Sequence, residues 1–321
     1  MKLHVSPRLR GALPFLTRRG AGRALLLALG LQFFGANAAA QAPREGVDVG
    51  QASAVRKLVP AEALENTAQQ QYGEMLKQAA SKKALAPADH PQVKRLRAIA
   101  ARLIPYSYKF NERARSWRWE INLIGSPQIN AFCMPGGKIA FYTGILDQLK
   151  LTDDEVAMVM GHEIAHALRE HARERVAKAQ ITGLAQTAAA IASDLLGFGS
   201  LGRLAVDASG SLLTLKFSRD DETESDIVGL ELAARAGFDP RAGVTLWQKM
   251  GAASKGAPPS WLSTHPAGKN RIQEIESHLP QVLPLYEKAK QAAATRGSSD
   301  SNSGGKLTNS TSDARPVIRI Q

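Results

Sequence analysis

His162-Glu163-Ile164-Ala165-His166 decides how the rest of this 321-residue chain is read. Just ahead of it, Thr152-Asp153-Asp154-Glu155 is a capping-box start, in which the Thr hydroxyl and the Glu carboxylate each satisfy a free amide of a first helical turn. Val156, Val159, Met160, Ile164, Ala167 and Leu168 then recur at intervals of three and four, which predicts a helix over 153–179 with one buried face. Positions four apart on a helix lie on nearly the same face, about 6 Å apart along the axis, so His162 and His166 can point two imidazoles at one metal ion. Glu163 sits about 100° further round, where it can touch a water at that metal, and is the candidate general base. The competing reading is a pair of solvated histidines on a polar face. The predicted helix favours the metal reading, as do the small residues Gly161 and Ala165, beside which a strand or substrate can approach closely. His171 falls outside the four-residue stripe and is expected at the surface.

Upstream, the texture from Trp117 onward is one of short β-rich runs. Residues 119–124, 129–133 and 138–142 read as strands and Pro135-Gly136-Gly137 as a turn, giving a small antiparallel sheet packed on the histidine-bearing helix. Two helical stretches, 60–82 and 90–104, precede it, separated by breakers around Pro87 and Pro91. Downstream, helices are predicted over 220–236, stopped by Gly237, and over 241–250 and 268–278. The Ala- and Leu-rich stretch 181–216 is interrupted by Gln186, Ser193, Asp194 and Asp207. It reads as buried helices or a lid over a site, with a membrane hairpin the less favoured alternative. The fold class is therefore α+β and predominantly helical. The expected organisation is an export leader over 1–40, a helical region over 41–115, a catalytic domain over 116–290 and a disordered polar tail over 291–321.

A composition with 44% hydrophobic and 22% charged residues excludes disorder throughout. The net charge of +12 is less informative than it looks, because Lys2, Arg8, Arg10, Arg18, Arg19 and Arg23 supply half of it before any acid occurs. The remainder forms no sustained basic run, so a nucleic-acid partner is not expected, while attraction to an anionic membrane surface stays open. Those basic residues, an apolar run of about 13 residues from Ala24 to Ala36, and small Ala38 and Ala40 make a signal-peptide pattern. The run is shorter than the roughly 20 residues that span a bilayer, so cleavage and a periplasmic location are favoured over a retained anchor. The single cysteine, Cys133, allows no intramolecular disulfide.

A catalytic zinc site needs a third protein ligand and an open position. The segment Ser218-Arg219-Asp220-Asp221-Glu222-Thr223-Glu224-Ser225-Asp226 closely resembles the Ser-Arg-x-x-Glu-x-x-x-Asp signature of the M48 (Ste24/HtpX-like) zinc peptidases. The resemblance implies a zincin-like fold with one zinc ion per chain, held by His162, His166 and Glu222, with Glu224 the competing ligand. It also implies that Asp226 orients a ligating imidazole by accepting its second N–H. Thr223 and Ser225 stand where the family more often has an aromatic and an alanine. Two further stretches are similar to family elements. Asn130-Ala131-Phe132 through Pro135-Gly136-Gly137 resembles a strand edge beside the active site, where an extended substrate can pair. Ser263-Thr264-His265-Pro266 with Arg271-Ile272 resembles a second element, from which His265 donates to an oxyanion or fills the metal's open position at rest, Arg271 being structural. The expected function is zinc-dependent endopeptidase action on misfolded or unassembled envelope proteins. The alternative is a periplasmic chaperone or assembly factor with little turnover.

Overall fold

The helix whose start is marked by a capping box in the sequence is one of the two that cross at the centre of the fold. The computed structural model describes residues 45–195, 212, 215–254, 259–266 and 270–302. The expected leader over 1–40, most of the interrupted stretch after residue 195 and the end of the polar tail lie outside the described residues. In chain order the elements are a 3-10 turn at Ala54–Leu58, α1 (Ala61–Ser81), α2 (Pro91–Ser107), a second 3-10 turn at Glu112–Arg115, β1 (Glu120–Ile124), β2 (Ala131–Met134) and β3 (Lys138–Tyr142). Then come α3 (Thr143–Leu149), α4 (Asp153–Leu168), α5 (His171–Leu195), α6 (Arg219–Arg235), α7 (Ala242–Ala253), α8 (Trp261–Thr264) and α9 (Arg271–Asn302).

The start of α4 is capped as expected, the Glu155 amide donating to Thr152 Oγ1 at 3.3 Å and the Thr152 amide to Glu155 Oε2 at 2.9 Å. The helix is not amphipathic, however. Every residue from Glu155 to Leu168 is buried, because α2, α6, α7 and β2 enclose α4 on all sides. Each fully buried Val, Leu, Ile or Met on such a helix contributes about 1.5–3 kcal/mol. Nor does α4 continue to residue 179. It ends at Leu168, and Glu170 adopts a left-handed φ of 60° before α5 begins at His171. Such a conformation costs a non-glycine residue about 1–3 kcal/mol. Ion pairs from the Glu170 carboxylate to Arg56 at 2.6 Å and Arg173 at 2.9 Å hold the corner in place.

The sheet is mixed rather than antiparallel, with strand order β1-β3-β2. β2 and β3 form the expected hairpin, Ala131 opposite Phe141 and Met134 opposite Lys138, closed by Gly136 and Gly137 at φ 82° and 78°. β3 folds back between its two predecessors and so runs parallel to β1, pairing Glu120 with Lys138 through Ile124 with Tyr142. β2 is left as an edge strand next to α4.

α6 begins with its own box, the Asp221 amide donating to Ser218 Oγ and the Ser218 amide to Asp221 Oδ2. It lies across α4, and α9 packs over α6 and α7 through Ile275, Val282, Leu285 and Tyr286. α9 is far longer than the predicted 268–278, and it carries the first residues of the expected unstructured tail, 291–302, as helix. No described helix is long and apolar enough to cross a membrane.

Candidate active site

His162 and His166 stand one turn apart on α4 with their Nε2 atoms 3.0 Å from each other. What brings acids to them is the crossing with α6. A methyl on Gly161 would lie 3.0 Å from the Gly229 carbonyl oxygen, so the two helices touch backbone to backbone. The close approach beside Gly161 is therefore made by a helix, not by a strand or substrate. It sets the first turns of α6 against the histidines. Glu222 Oε1 lies 3.3 Å from His166 Nε2 and Oε2 lies 3.7 Å from His162 Nε2. Asp226, one turn further along, lies 2.9 Å from His162 Nδ1, so that nitrogen carries the proton and Nε2 presents its lone pair.

His265 completes the group from the loop after α8. Its Nδ1 lies 3.1 Å from the Trp261 carbonyl oxygen and donates there, which leaves Nε2 bare. One ligand atom each from His162, His166, Glu222 and His265 lie within 4.8 Å of one another, all four residues buried. Glu222 Oε1 and His265 Nε2 are buried polar atoms with no hydrogen-bond partner among the described residues, a costly arrangement unless a cation sits between them. Three imidazoles and a carboxylate are a donor set that suits zinc.

The electrostatics agree with a cation site. Burial pushes His162 down to about 4 against the opposing pull of Asp226, and pushes His166 and His265 well below the ordinary histidine range. All three rings are thus neutral at pH 7, with lone pairs available. Glu163, 2% exposed, is raised well above the ordinary carboxyl range by burial and by Glu222, although the Trp261 indole N–H donates to its Oε1 at 2.6 Å. Burial likewise raises Glu222 to about 8 against the opposing charge of Arg271.

Arg271 is a hub of the site. From the start of α9 its guanidinium donates to Glu222 Oε2 at 2.6 Å, to Asp226 Oδ1 at 2.8 Å and to Asp226 Oδ2, and it stacks 3.7 Å from the centre of the Trp247 ring. Those contacts hold Asp226 below its ordinary range despite burial. They also occupy Glu222 Oε2 and leave Oε1 to face the histidines.

The structure gathers His162, Glu163, His166, Glu222 and His265, and sets Asp226 behind His162. Glu224, the competing acid, lies outside this cluster and contacts Arg169 and His171. Asn130, Ala131 and Phe132 line a cleft with Glu163, His166 and His265. His171 is a correction: expected at the surface, it is 2% exposed and its Nδ1 lies 3.0 Å from His166 Nδ1. Trp261, against Glu163, and Phe217, stacked 3.9 Å from the His166 ring centre, were not anticipated either. The only sequence hint for Trp261 is its place four residues before His265.

Residues 87–279, more than half of the chain, match the model for Peptidase family M48. The chain belongs to peptidase family M48. Among its relatives is the mitochondrial metalloendopeptidase OMA1 of Schizosaccharomyces pombe, 35% identical over 217 residues that cover 67% of this chain and 60% of that protein. The protein of the same name from Arabidopsis thaliana is 39% identical over 174 residues, 54% of this chain and 34% of its own length. Metalloprotease LoiP of Escherichia coli is 30% identical over 199 residues, 62% of this chain and 75% of LoiP. The chain thus spans less than two thirds of the two OMA1 proteins. The observed fold, mostly helical with a small mixed sheet, is consistent with the α+β architecture of an M48 peptidase.

Proposed function

We propose that this M48 family member is a zinc-dependent endopeptidase that cleaves misfolded or unassembled envelope proteins. The observation that carries the reading is a buried Glu163 beside a cluster of His162, His166, Glu222 and His265 in which Glu222 Oε1 and His265 Nε2 have no hydrogen-bond partner among the described residues. The metalloendopeptidase and metalloprotease names of the relatives support it.

His162, His166 and Glu222 would hold the zinc, and Asp226 and Arg271 would aim them. When bound, the ion polarises the scissile carbonyl and lowers the pKa of the attacking water. Glu163 takes that water's proton as its oxygen bonds to the carbonyl carbon, and returns a proton to the nitrogen as the C–N bond breaks. Glu163 takes a proton only when ionised, and a cation held by its neighbours would counter the burial that raises its pKa. Trp261 fixes the orientation of Glu163 through the bond to Oε1.

His265 presents a lone pair, not an N–H, to the cluster, which fits a fourth ligand at rest better than an oxyanion donor. With His162, His166 and Glu222 holding zinc, His265 would supply a fourth donor that competes with water for the ion. The edge of β2 at Asn130, Ala131 and Phe132 suits an extended substrate bound through its backbone, which requires little of its sequence. Unfolded envelope proteins are substrates of that kind, and the leader pattern over 1–40 would deliver the enzyme to the periplasm.

The test is metal analysis of the purified protein beside casein cleavage by wild type and Glu163→Gln. The expected result is one zinc per chain in both and cleavage only in wild type. A wild type that binds no zinc, or a Glu163→Gln protein that cleaves as well as wild type, overturns the reading.

A further inference from the structure

Each candidate histidine ligand has a second ring nitrogen that needs a partner. For His162 that partner is Asp226. For His166 it is another histidine. His166 Nδ1 lies 3.0 Å from His171 Nδ1, and the two rings meet edge to face with centres 5.0 Å apart. The other nitrogen of His171, Nε2, lies 2.7 Å from Glu224 Oε2. A carboxylate only accepts, so His171 Nε2 carries a proton, and in the Nε2–H tautomer the lone pair is at Nδ1. The nearer donor to that lone pair is His166 Nδ1–H at 3.0 Å, the Ser225 hydroxyl lying further off at 3.4 Å, and a proton on His166 Nδ1 leaves the Nε2 lone pair of His166 facing the cluster. The shortest contacts along this line are all satisfied by one set of tautomers.

The line continues outward. Glu224 is ion-paired with Arg169, and the Arg169 guanidinium also donates to the Gly50 carbonyl at 3.0 Å. The segment bearing Gly50 is itself pinned, since the Val47 amide donates at 2.7 Å to Glu231, a fully buried carboxylate that also meets Lys109 and Arg235. The left-handed corner at Glu170 is what turns His171 back under His166.

We propose that His171, held by Glu224 and Arg169, is a positioning residue that orients His166 and fixes its tautomer for metal binding, with the N-terminal segment at Gly50 as the outer anchor. The proposal rests on the zinc-peptidase reading. Partners that orient a ligating histidine typically alter metal affinity by roughly 10–100-fold when removed.

The experiment measures zinc affinity of the full chain by chelator competition, the absorption spectrum of the cobalt-substituted protein, and melting of the metal-free protein. His171→Phe keeps an aromatic ring but no acceptor, and is expected to weaken zinc binding roughly 10–100-fold and to alter the cobalt spectrum. His171→Asn can place an oxygen where Nδ1 stood, and is expected to recover most of that loss. Glu224→Ala and Arg169→Met, which leave both rings in place, should give smaller losses in the same direction and carry the test if His171→Phe does not fold. Wild-type affinity in His171→Phe, or equal losses in the Phe and Asn variants that merely follow the melting temperature of the metal-free protein, overturns the proposal while leaving the peptidase reading intact. A wild type that binds no zinc overturns both.

Discussion

Gly229 of α6 rests directly on Gly161 of α4: a methyl on Gly229 would lie 2.9 Å from the His162 amide nitrogen and 3.1 Å from the Gly161 carbonyl carbon. Two opposed effects meet at this position. Alanine favours a helix over glycine by about 1 kcal/mol, while overpacking a close contact costs about 1–3 kcal/mol. The contact is backbone on backbone, with no flexible side chain to yield, so the second effect wins. Gly229→Ala is expected to lower stability and to weaken zinc binding by moving Glu222 and Asp226 away from the histidines. Melting of the metal-free protein and zinc titration check it, and an unchanged affinity would show that the crossing does not set the site.

Arg271 is the cation that two buried carboxylates share. Removing one partner of a buried ion pair costs about 3–5 kcal/mol, because the other charge stays buried. Arg271→Met should lose stability on that scale in the metal-free protein and recover part of it when zinc is added, since the ion supplies the missing positive charge. Urea unfolding with and without zinc reads both effects.

His265→Ala separates the two roles open to that residue. If His265 closes the site at rest, the variant should cleave casein faster than wild type and still bind one zinc through the remaining three donors. Slower cleavage with zinc retained would point instead to a donor that stabilises the oxyanion.

Glu155 ties the start of α4 to α7, accepting from the Thr152 amide, from Thr245 Oγ1 at 2.9 Å and from Lys249 Nζ at 2.6 Å. Burial raises its pKa, but these bonds together outweigh burial and hold it below 4.5. A carboxyl with a lowered folded-state pKa contributes stability that is complete above its unfolded value and is lost as pH falls through the folded one. Glu155→Ala should therefore cost about 1–2 kcal/mol near pH 7. The gap from wild type should shrink as pH drops below about 4.5. Unfolding curves across pH 3–7 (roughly the span of carboxyl titration) test this, and a constant gap would contradict it.

Much of the fold was legible because its signals are local. Thr152 marks one helix start within four residues, Gly237 marks the end of another, the 138–142 strand has the bounds expected of it, and the spacing of His162 and His166 follows from helix geometry alone. Resemblance to a known signature singles out Glu222 and Asp226. The parallel pairing of β1 was not legible, since three β-rich runs carry no mark of the order in which they line up. The corner at Glu170 was not legible either, because the sequence around it reads as continuous helix and the bend is held by Arg56, over a hundred residues away.

Local sequence therefore determined where elements begin and which residues could bear the chemistry. Apart from Asp226, which the signature points to, tertiary structure decided what stands behind those residues. His171 looked like a surface histidine by its place on the helix, yet the turn before it buries it against His166. Arg271 became the clamp on Glu222 and Asp226 because α9 begins beside α6. The physical reason is one of range. Caps and periodicity act over a few residues, whereas a buried charge or imidazole must be satisfied by whatever the fold brings within hydrogen-bond reach, and no local pattern records that partner.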